Sequence, residues 1–203
     1  MERLKILNLY AGIGGNRKLW GHQLHRADYD ITAVELDENI ANIYKDFYPE
    51  DKVVVEDAHQ YLLDHYKEFD IIWSSPPCPT HSRIGKANIK RKVEYPDMKL
   101  YEEILLLQGY FKGNWVVENV MSWYKPLIEP QILQRHFFWS NKNLGQKEFP
   151  TEKTCSTKDR ERLSKLFDIN IDKYTGIDKR KCLRNCVLPE LGEYILSKLK
   201  DNK

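Results

Sequence analysis

Short apolar runs alternate with amphipathic stretches along most of this chain. The runs are rich in Ile, Val and aromatic residues and cover Leu4 to Tyr10, Ile31 to Leu36, Val53 to Val55, Phe69 to Trp73, Trp115 to Val120 and Phe137 to Trp139. Stretches with helical spacing cover Asn16 to Leu24, Glu38 to Phe47 and Leu100 to Phe111. This alternation predicts an α/β fold, with a mostly parallel sheet flanked by helices.

The last third of the chain has a weaker pattern. Residues 142–179 are polar and charged, with one predicted helix at Thr157 to Phe167. A closing helix is predicted over Pro189 to Leu199, with proline at its first position. The length of 203 residues suits a single domain, residues 1–203, in which residues 142–179 form a short insert.

The total charge says little about partners, because 32 Lys and Arg residues face 30 Asp and Glu residues, for a formal net charge of +2. A nucleic-acid binder with this balance needs a local basic surface. The segment Ser82 to Lys99 offers one, with the cations Arg83, Lys86, Lys90, Arg91 and Lys92. A solvated loop is the alternative reading of this segment.

The cysteines and the hydropathy predict a cytoplasmic protein with reduced thiols and no membrane role. The four cysteines are dispersed except for Cys182 and Cys186, and the N-terminus lacks the apolar core of a signal peptide. No apolar run approaches the ~20 residues that span a bilayer. A metal is not expected. A zinc site would need a nearby His or a second closely spaced Cys pair, and Cys155, Cys182 and Cys186 have neither.

Three strand ends suggest a ligand site at the carboxyl edge of the sheet, where open α/β sheets bind ligands. The turn from Tyr10 to Gly15 gives close backbone approach and a helix start with free N–H groups. It lacks the final spacing of the dinucleotide fingerprint, and an ordinary tight turn is the alternative. Glu35, roughly 20 residues later, suits ribose hydroxyls, and Asp57 suits a purine amino group. A helix N-cap or a solvated charge is the alternative for each acid.

A thiol and a carboxylate follow two further strands. Cys78 ends the rigid segment Ser75-Pro-Pro-Cys78, and Glu118 lies near the end of the next apolar run. A thiolate is a strong nucleophile, and it needs a partner that handles protons. The pair therefore predicts covalent catalysis.

Together these motifs resemble the DNA cytosine-5 methyltransferase family over almost the whole chain. The segments that resemble the family's motifs are Asn8 to Gly15, Ala33 to Asp37, Asp57-Ala58, Ser75 to Cys78, Asp97 to Tyr101, Glu118 to Val120, Arg135 to Asn141 and Arg180 to Pro189. The resemblance implies a Rossmann-like methyltransferase fold and S-adenosyl-L-methionine as cofactor. The implied cofactor contacts are Tyr10, Ala11, Gly12, Ile13, Gly14, Gly15, Glu35, Leu36, Asp57, Ala58, Pro76, Leu100 and Asn185.

The resemblance also implies the chemistry. The Cys78 thiolate would add to C6 of a cytosine flipped out of DNA, so that C5 accepts the methyl group. Glu118 would hold N3 and the amino group, and Arg135 would orient the base or Glu118. The implied substrate contacts are Pro77, Ser82, Arg83, Lys86, Asn119 and Val120. His81 is a further candidate that touches phosphate or tunes the thiolate.

The chain departs from the family pattern at several positions. Asn8 replaces an acid, Pro79 replaces a glutamine, and Leu133 or His136 stands where a second arginine is expected. The insert at 142–179 is too short for the family's separate target-recognition domain.

These departures leave alternatives open. A partner protein could supply sequence recognition, or the substrate could be RNA, whose shape gives selectivity. The chain could also be a catalytically weak subunit that binds nucleic acid or cofactor for another methyltransferase. A dinucleotide-dependent oxidoreductase is a further alternative, but it gives Cys78 and Glu118 no role.

Overall fold

The computed structural model describes residues 3–21, 28–83, 95–150 and 159–200. Within these residues one sheet contains seven strands, in the order β3-β2-β1-β4-β5-β7-β6. The strands are β1 (Leu4–Leu9), β2 (Tyr29–Glu35), β3 (Lys52–Val55), β4 (Ile71–Ser74), β5 (Asn114–Val120), β6 (Gln131–Leu133) and β7 (His136–Ser140). Strands β1 to β5 are parallel, and β7 runs antiparallel between β5 and β6.

Helices cover both faces of this sheet, and the predicted α/β fold with a mostly parallel sheet flanked by helices is confirmed. The helices are α1 (Glu38–Phe47), α2 (Ala58–His65), α3 (Lys99–Tyr110), α4 (Asp159–Phe167), α5 (Lys179–Arg184) and α6 (Pro189–Lys200). A 3₁₀ turn at Tyr66–Glu68 follows α2. No described helix combines the length and apolar character that crossing a bilayer requires. Sequence analysis missed β6, α2 and α5.

The predicted helix over Asn16 to Leu24 is wrong in its described part. Residues 16–21 form turns instead, closed by backbone hydrogen bonds between residues three apart. The reason is tertiary: the Asn16 amide donates to Oδ1 of buried Asn8 at 2.9 Å, and the Arg17 side chain is drawn into a buried ion pair. Such contacts override a local helical pattern.

Two cores follow from the alternation of side chains along the central strands. Ile6 and Trp73 point to one face, where they join α4 and α6, and Leu7 and Ile72 point to the other, against α2 and α3. On the first face, α4 contributes Leu163 and Phe167 to the same core. The described part of the predicted insert therefore packs on the sheet.

The contact between α6 and the turn after β1 gives a stability prediction. A Cβ at Gly192 would lie 2.3 Å from the Asn16 carbonyl oxygen, so Gly192→Ala must push α6 away. We expect a loss of about 1–3 kcal/mol in the free energy of unfolding, measured by urea denaturation. Gly109→Ala on α3 is the matched control, because nothing lies within 4 Å of its added Cβ. Equal stability of the two variants would contradict the packing argument.

Candidate active site

The glycine turn after β1 has a backbone that few residues tolerate. Tyr10, Gly12 and Gly14 have φ values of 55°, 55° and 78°. An added Cβ at Gly15 would lie 2.6 Å from Cβ of Cys186, in the segment between α5 and α6. The predicted closing motif thus packs directly on the glycine turn, and only glycine fits between them.

Glu35, at the end of β2, faces this turn. Its Oε2 accepts the N–H of Gly12 at 2.9 Å, and its Oε1 accepts the N–H of Asp37 at 3.0 Å. Each oxygen has a second lone pair, so the carboxylate keeps acceptor capacity for ligand hydroxyls. The next residue, Leu36, is 66% exposed, which leaves a large apolar side chain open beside the carboxylate. A nucleoside with a ribose and a flat base fits this combination.

Asp57, after β3, caps α2: its Oδ1 accepts the N–H of Gln60 at 3.0 Å, and this bond chiefly lowers the carboxyl pKa. The N-cap alternative is therefore observed, and the cap uses one carboxylate oxygen. Five other predicted cofactor contacts have buried side chains and could meet a ligand mainly through their backbone: Ala11, Ile13, Ala58, Pro76 and Leu100.

A buried ion pair that sequence analysis missed supports the same turn. Arg17 Nε lies 2.9 Å from Oδ2 of Asp51, and both side chains are buried. The Tyr44 hydroxyl donates to the same oxygen at 2.8 Å. The two charged residues are 34 positions apart, so no local pattern could have paired them.

The loop that carries Cys78 is tied to the chain after Glu118. The Asn119 amide donates to the Pro76 carbonyl at 3.0 Å, and its oxygen accepts the N–H of Val120 at 2.9 Å. Asn119 is buried, so the structure places this predicted substrate contact behind the site, as a link between the two motifs. Pro77 is exposed beside it.

Further bonds continue this link. The Trp123 indole donates to the Thr80 carbonyl at 3.0 Å, and its backbone N–H donates to the His81 carbonyl at 3.1 Å. Ser82 forms a β-bridge with Ser122, whose carbonyl accepts from Arg83 Nε at 3.0 Å. The position of the thiol is thereby fixed relative to the carboxylate strand. Lys86, also predicted as a substrate contact, lies outside the described residues.

His81 belongs to this link and not to an open surface. It is 1% exposed, and its Nδ1 lies 2.6 Å from the Tyr124 hydroxyl. Its Nε2 has no hydrogen-bond partner among the described residues. Burial lowers the imidazole pKa, which favours the neutral ring. The buried His81 ring therefore cannot contact a phosphate group at the surface, as the first of its two predicted roles required.

The side chain of Glu118 contacts a histidine. The antiparallel register pairs Val120 with His136 and Glu118 with Phe138, so Glu118 and His136 are diagonal neighbours on one face. His136 Nδ1 lies 2.5 Å from Glu118 Oε1. His136, which contacts the Glu118 carboxylate, is therefore one of the two residues that could stand where the resembled family has a second arginine. Arg135, the predicted orienting residue, is exposed next to it.

A cleft of about 770 Å³ opens beside Cys78. Its volume is in the range of small-molecule sites and accommodates an extruded base. The cleft is strongly basic, with Asp178 as an acidic lining residue. Its lining includes Val120, His136, Asn185 and Cys186, together with the cations Arg83, Arg135, Arg180, Lys181 and Arg184.

The environment of Cys78 keeps its thiol protonated at rest. Burial raises the pKa of this thiol, and the nearby Glu118 carboxylate raises it further. The positive charge of Lys181 and a backbone N–H act in the opposite direction. A reaction that used Cys78 as a nucleophile would therefore require loss of the thiol proton.

Among the described residues, no group of three His, Cys, Asp or Glu side chains is arranged to hold a metal.

Comparisons with known proteins agree with this geometry. The family model described as C-5 cytosine-specific DNA methylase matches residues 4–125. The human tRNA (cytosine(38)-C(5))-methyltransferase is 28% identical over 88 residues, which cover 42% of this chain and 22% of that protein. The protein of the same name from Spodoptera frugiperda is 32% identical over 84 residues, covering 40% and 25%. The matches thus span about a quarter or less of these relatives.

Similar solved structures include methyltransferases. A DNMT2 variant from Spodoptera frugiperda is 27% identical, with a TM-score of 0.39 over 58% of this chain and 35% of that chain. A SAM dependent methyltransferase from Agrobacterium tumefaciens is 15% identical, with a TM-score of 0.42 over 61% and 40%. The family match contains the glycine turn, Cys78 and Glu118, whereas Arg135 and His136 lie beyond it.

Proposed function

Because this chain belongs to the C-5 cytosine-specific DNA methylase family, we propose that it methylates C5 of cytosine in DNA through a Cys78 adduct at C6. One observation carries the proposal: the Cys78 loop is bonded to the strand end that holds the Glu118–His136 pair, beside a basic cleft. S-adenosyl-L-methionine is the cofactor that the family implies, and it supplies an electrophilic methyl group.

Cys78, Glu118 and His136 have separate roles in the reaction at the cytosine base. The Cys78 thiolate forms a bond to C6, and the ring electrons that it displaces accumulate at C5 and N3. A protonated Glu118 carboxyl stabilises that charge by donating its proton or a hydrogen bond to N3, an effect of ~10²–10⁴-fold in general acid catalysis. His136 orients the Glu118 carboxyl. After C5 has taken up the methyl group, water in the open cleft accepts the C5 proton, and the electrons of the broken C–H bond expel the Cys78 thiolate and restore the ring.

The cofactor lies, in this proposal, at the carboxyl edge formed by the glycine turn, Glu35 and Leu36. The fit rests on the tight turn, in which Gly15 packs on Cys186 with no room for a Cβ, and on the free acceptor capacity of Glu35. The turn would approach the cofactor closely through its backbone, and the Glu35 carboxylate would accept hydrogen bonds from the ribose hydroxyls.

Gly15→Ala tests this assignment. The added Cβ displaces Cys186 and opens the turn, so we expect the dissociation constant of S-adenosylmethionine to rise at least tenfold, about 1.4 kcal/mol, in calorimetric titration. Gly21→Ala is the control, because its added Cβ meets nothing within 4 Å. Equal cofactor affinity in both variants would contradict the placement.

The basic cleft is the proposed path of the nucleic acid. Lys181 and Arg184, on α5, line the same cleft as Cys78, where phosphates flanking a flipped base could contact them. Each phosphate contact releases a counterion, so Lys181→Gln and Arg184→Gln should weaken DNA binding and each reduce the log–log salt slope by about 1. Lys112→Gln, at the opposite edge of the sheet, should leave the slope unchanged. Binding isotherms at salt concentrations from about 50 to about 300 mM measure this salt slope.

RNA is the second candidate substrate, favoured by the tRNA methyltransferase relatives. The short insert at residues 142–179, whose described part contains α4, also suits a substrate that brings its own shape. Tritiated S-adenosylmethionine should be incubated with mixed-sequence duplex DNA, single-stranded DNA or tRNA, with Cys78→Ala as the blank.

Cys78-dependent label at cytosine C5 of DNA is the expected result. Label in tRNA alone would move the substrate to RNA. Cofactor binding without label in any nucleic acid would overturn the enzymatic proposal and favour a subunit that needs a partner protein.

A further inference from the structure

Glu103, on α3, is a fully buried carboxyl group (0% exposed) that the proposed chemistry leaves without a role. Its Oε1 accepts the hydroxyl of Tyr10 at 2.6 Å and lies 3.0 Å from Nδ1 of His59. Its Oε2 accepts the hydroxyl of Ser74 at 2.6 Å. A buried carboxyl group costs several kcal/mol unless its oxygens are satisfied in this way.

The three partners come from three different strand ends. Tyr10 is the first residue of the glycine turn after β1, and His59 lies two residues after the capping Asp57. Ser74 is the last residue of β4, four residues before Cys78. One carboxyl group therefore connects the proposed cofactor turn, the start of α2 and the strand that leads to the nucleophile.

The bond to Tyr10 acts on a strained residue. Tyr10 has a φ of 55°, in the left-handed region that is strained for a non-glycine residue. Such a conformation persists only where the surroundings hold it. The Glu103 carboxyl supplies that restraint on one side and holds Ser74 on the other.

We propose that Glu103 is a positioning residue that fixes the cofactor turn and the nucleophile strand in one common arrangement. This inference rests on the proposed function, because it requires cofactor and thiol to meet in one site. Glu103 touches neither reactant. Its loss should therefore change cofactor affinity and Cys78 reactivity together.

Glu103→Gln tests the inference, because the amide keeps the size but cannot accept on both sides. Two readouts need neither nucleic acid nor turnover: calorimetric titration with S-adenosylmethionine, and the rate of Cys78 alkylation by iodoacetamide, followed by mass spectrometry. We expect at least a tenfold weaker affinity and at least a threefold change in alkylation rate. Gln108→Glu, at an exposed position on the same helix, is the control and should leave both within twofold.

Two single-hydroxyl variants separate positioning from general stability and keep the test decisive if Glu103→Gln does not fold. Tyr10→Phe should weaken cofactor binding without changing Cys78 alkylation, and Ser74→Ala should do the reverse. A merely structural Glu103 would give lower unfolding midpoints with both readouts unchanged, and that result overturns the inference. A wild-type chain that binds cofactor but methylates nothing would overturn the proposed function and leave these comparisons valid.

Discussion

Cys78→Ala should abolish methyl transfer, with a loss of roughly 10⁴-fold or more. The thiol is the group that forms the covalent bond to C6, and alanine removes it while the loop bonds from Asn119 and Trp123 remain. The measurement is single-turnover transfer of tritium from S-adenosylmethionine to cytosine C5. Cys182→Ala is the matched control, because that thiol packs in the core below α5.

The same thiol gives a pH prediction. Burial, followed by the Glu118 charge, raises the Cys78 pKa, so the thiolate is the minor form at neutral pH. Its fraction grows about tenfold per pH unit below the pKa, and alkylation of Cys78 should follow with a slope near one. An alkylation rate that falls or stays flat between about pH 6 and about pH 8 would contradict a raised Cys78 pKa.

Glu118→Gln should have opposite effects on two measured rates. Methyl transfer should fall by ~10²–10⁴-fold, because the amide cannot supply a proton to N3 as the thiolate adds. Alkylation of free Cys78 should become faster at a fixed pH, because the variant loses a negative charge that raises the thiol pKa. Quench-flow methylation assays and site-resolved mass spectrometry measure the two rates.

The exposed Glu129→Gln serves as the control for the Glu118 variant and should change neither rate. A general loss of structure would lower methylation but would also expose every cysteine to alkylation at once. A Glu118→Gln chain in which both rates fall, or in which methylation is unchanged, would remove Glu118 from its assigned role.

The strands and their ends were predictable because buried strands leave a local trace. Each central strand is a short apolar run that stops at a glycine, proline or acid, and parallel strands bring their carboxyl ends to one edge. The sequence pattern alone therefore predicts that the glycine turn, the two acids, the thiol and Glu118 lie at one edge of the sheet. The arrangement within that edge was not predictable.

Three misses show why. The turns at residues 16–21 depend on contacts with Asn8 and the distant Asp51, which a helical pattern cannot report. The His136–Glu118 contact depends on the β5–β7 register, although the displaced second arginine of the family pattern already pointed to that position. Adjacent Glu102 and Glu103 look alike in sequence, yet only the second is buried, because α3 turns it toward Tyr10 and Ser74.

The most direct test of the central claim is covalent trapping on DNA that contains 5-fluorocytosine. Fluorine at C5 cannot leave as a proton does, so the account predicts a denaturant-stable complex that forms only with S-adenosylmethionine. Mass spectrometry should place the link on Cys78, with one added methyl group on the base. A link through another residue, or no complex from a chain that methylates ordinary cytosine, would contradict attack by Cys78 at C6.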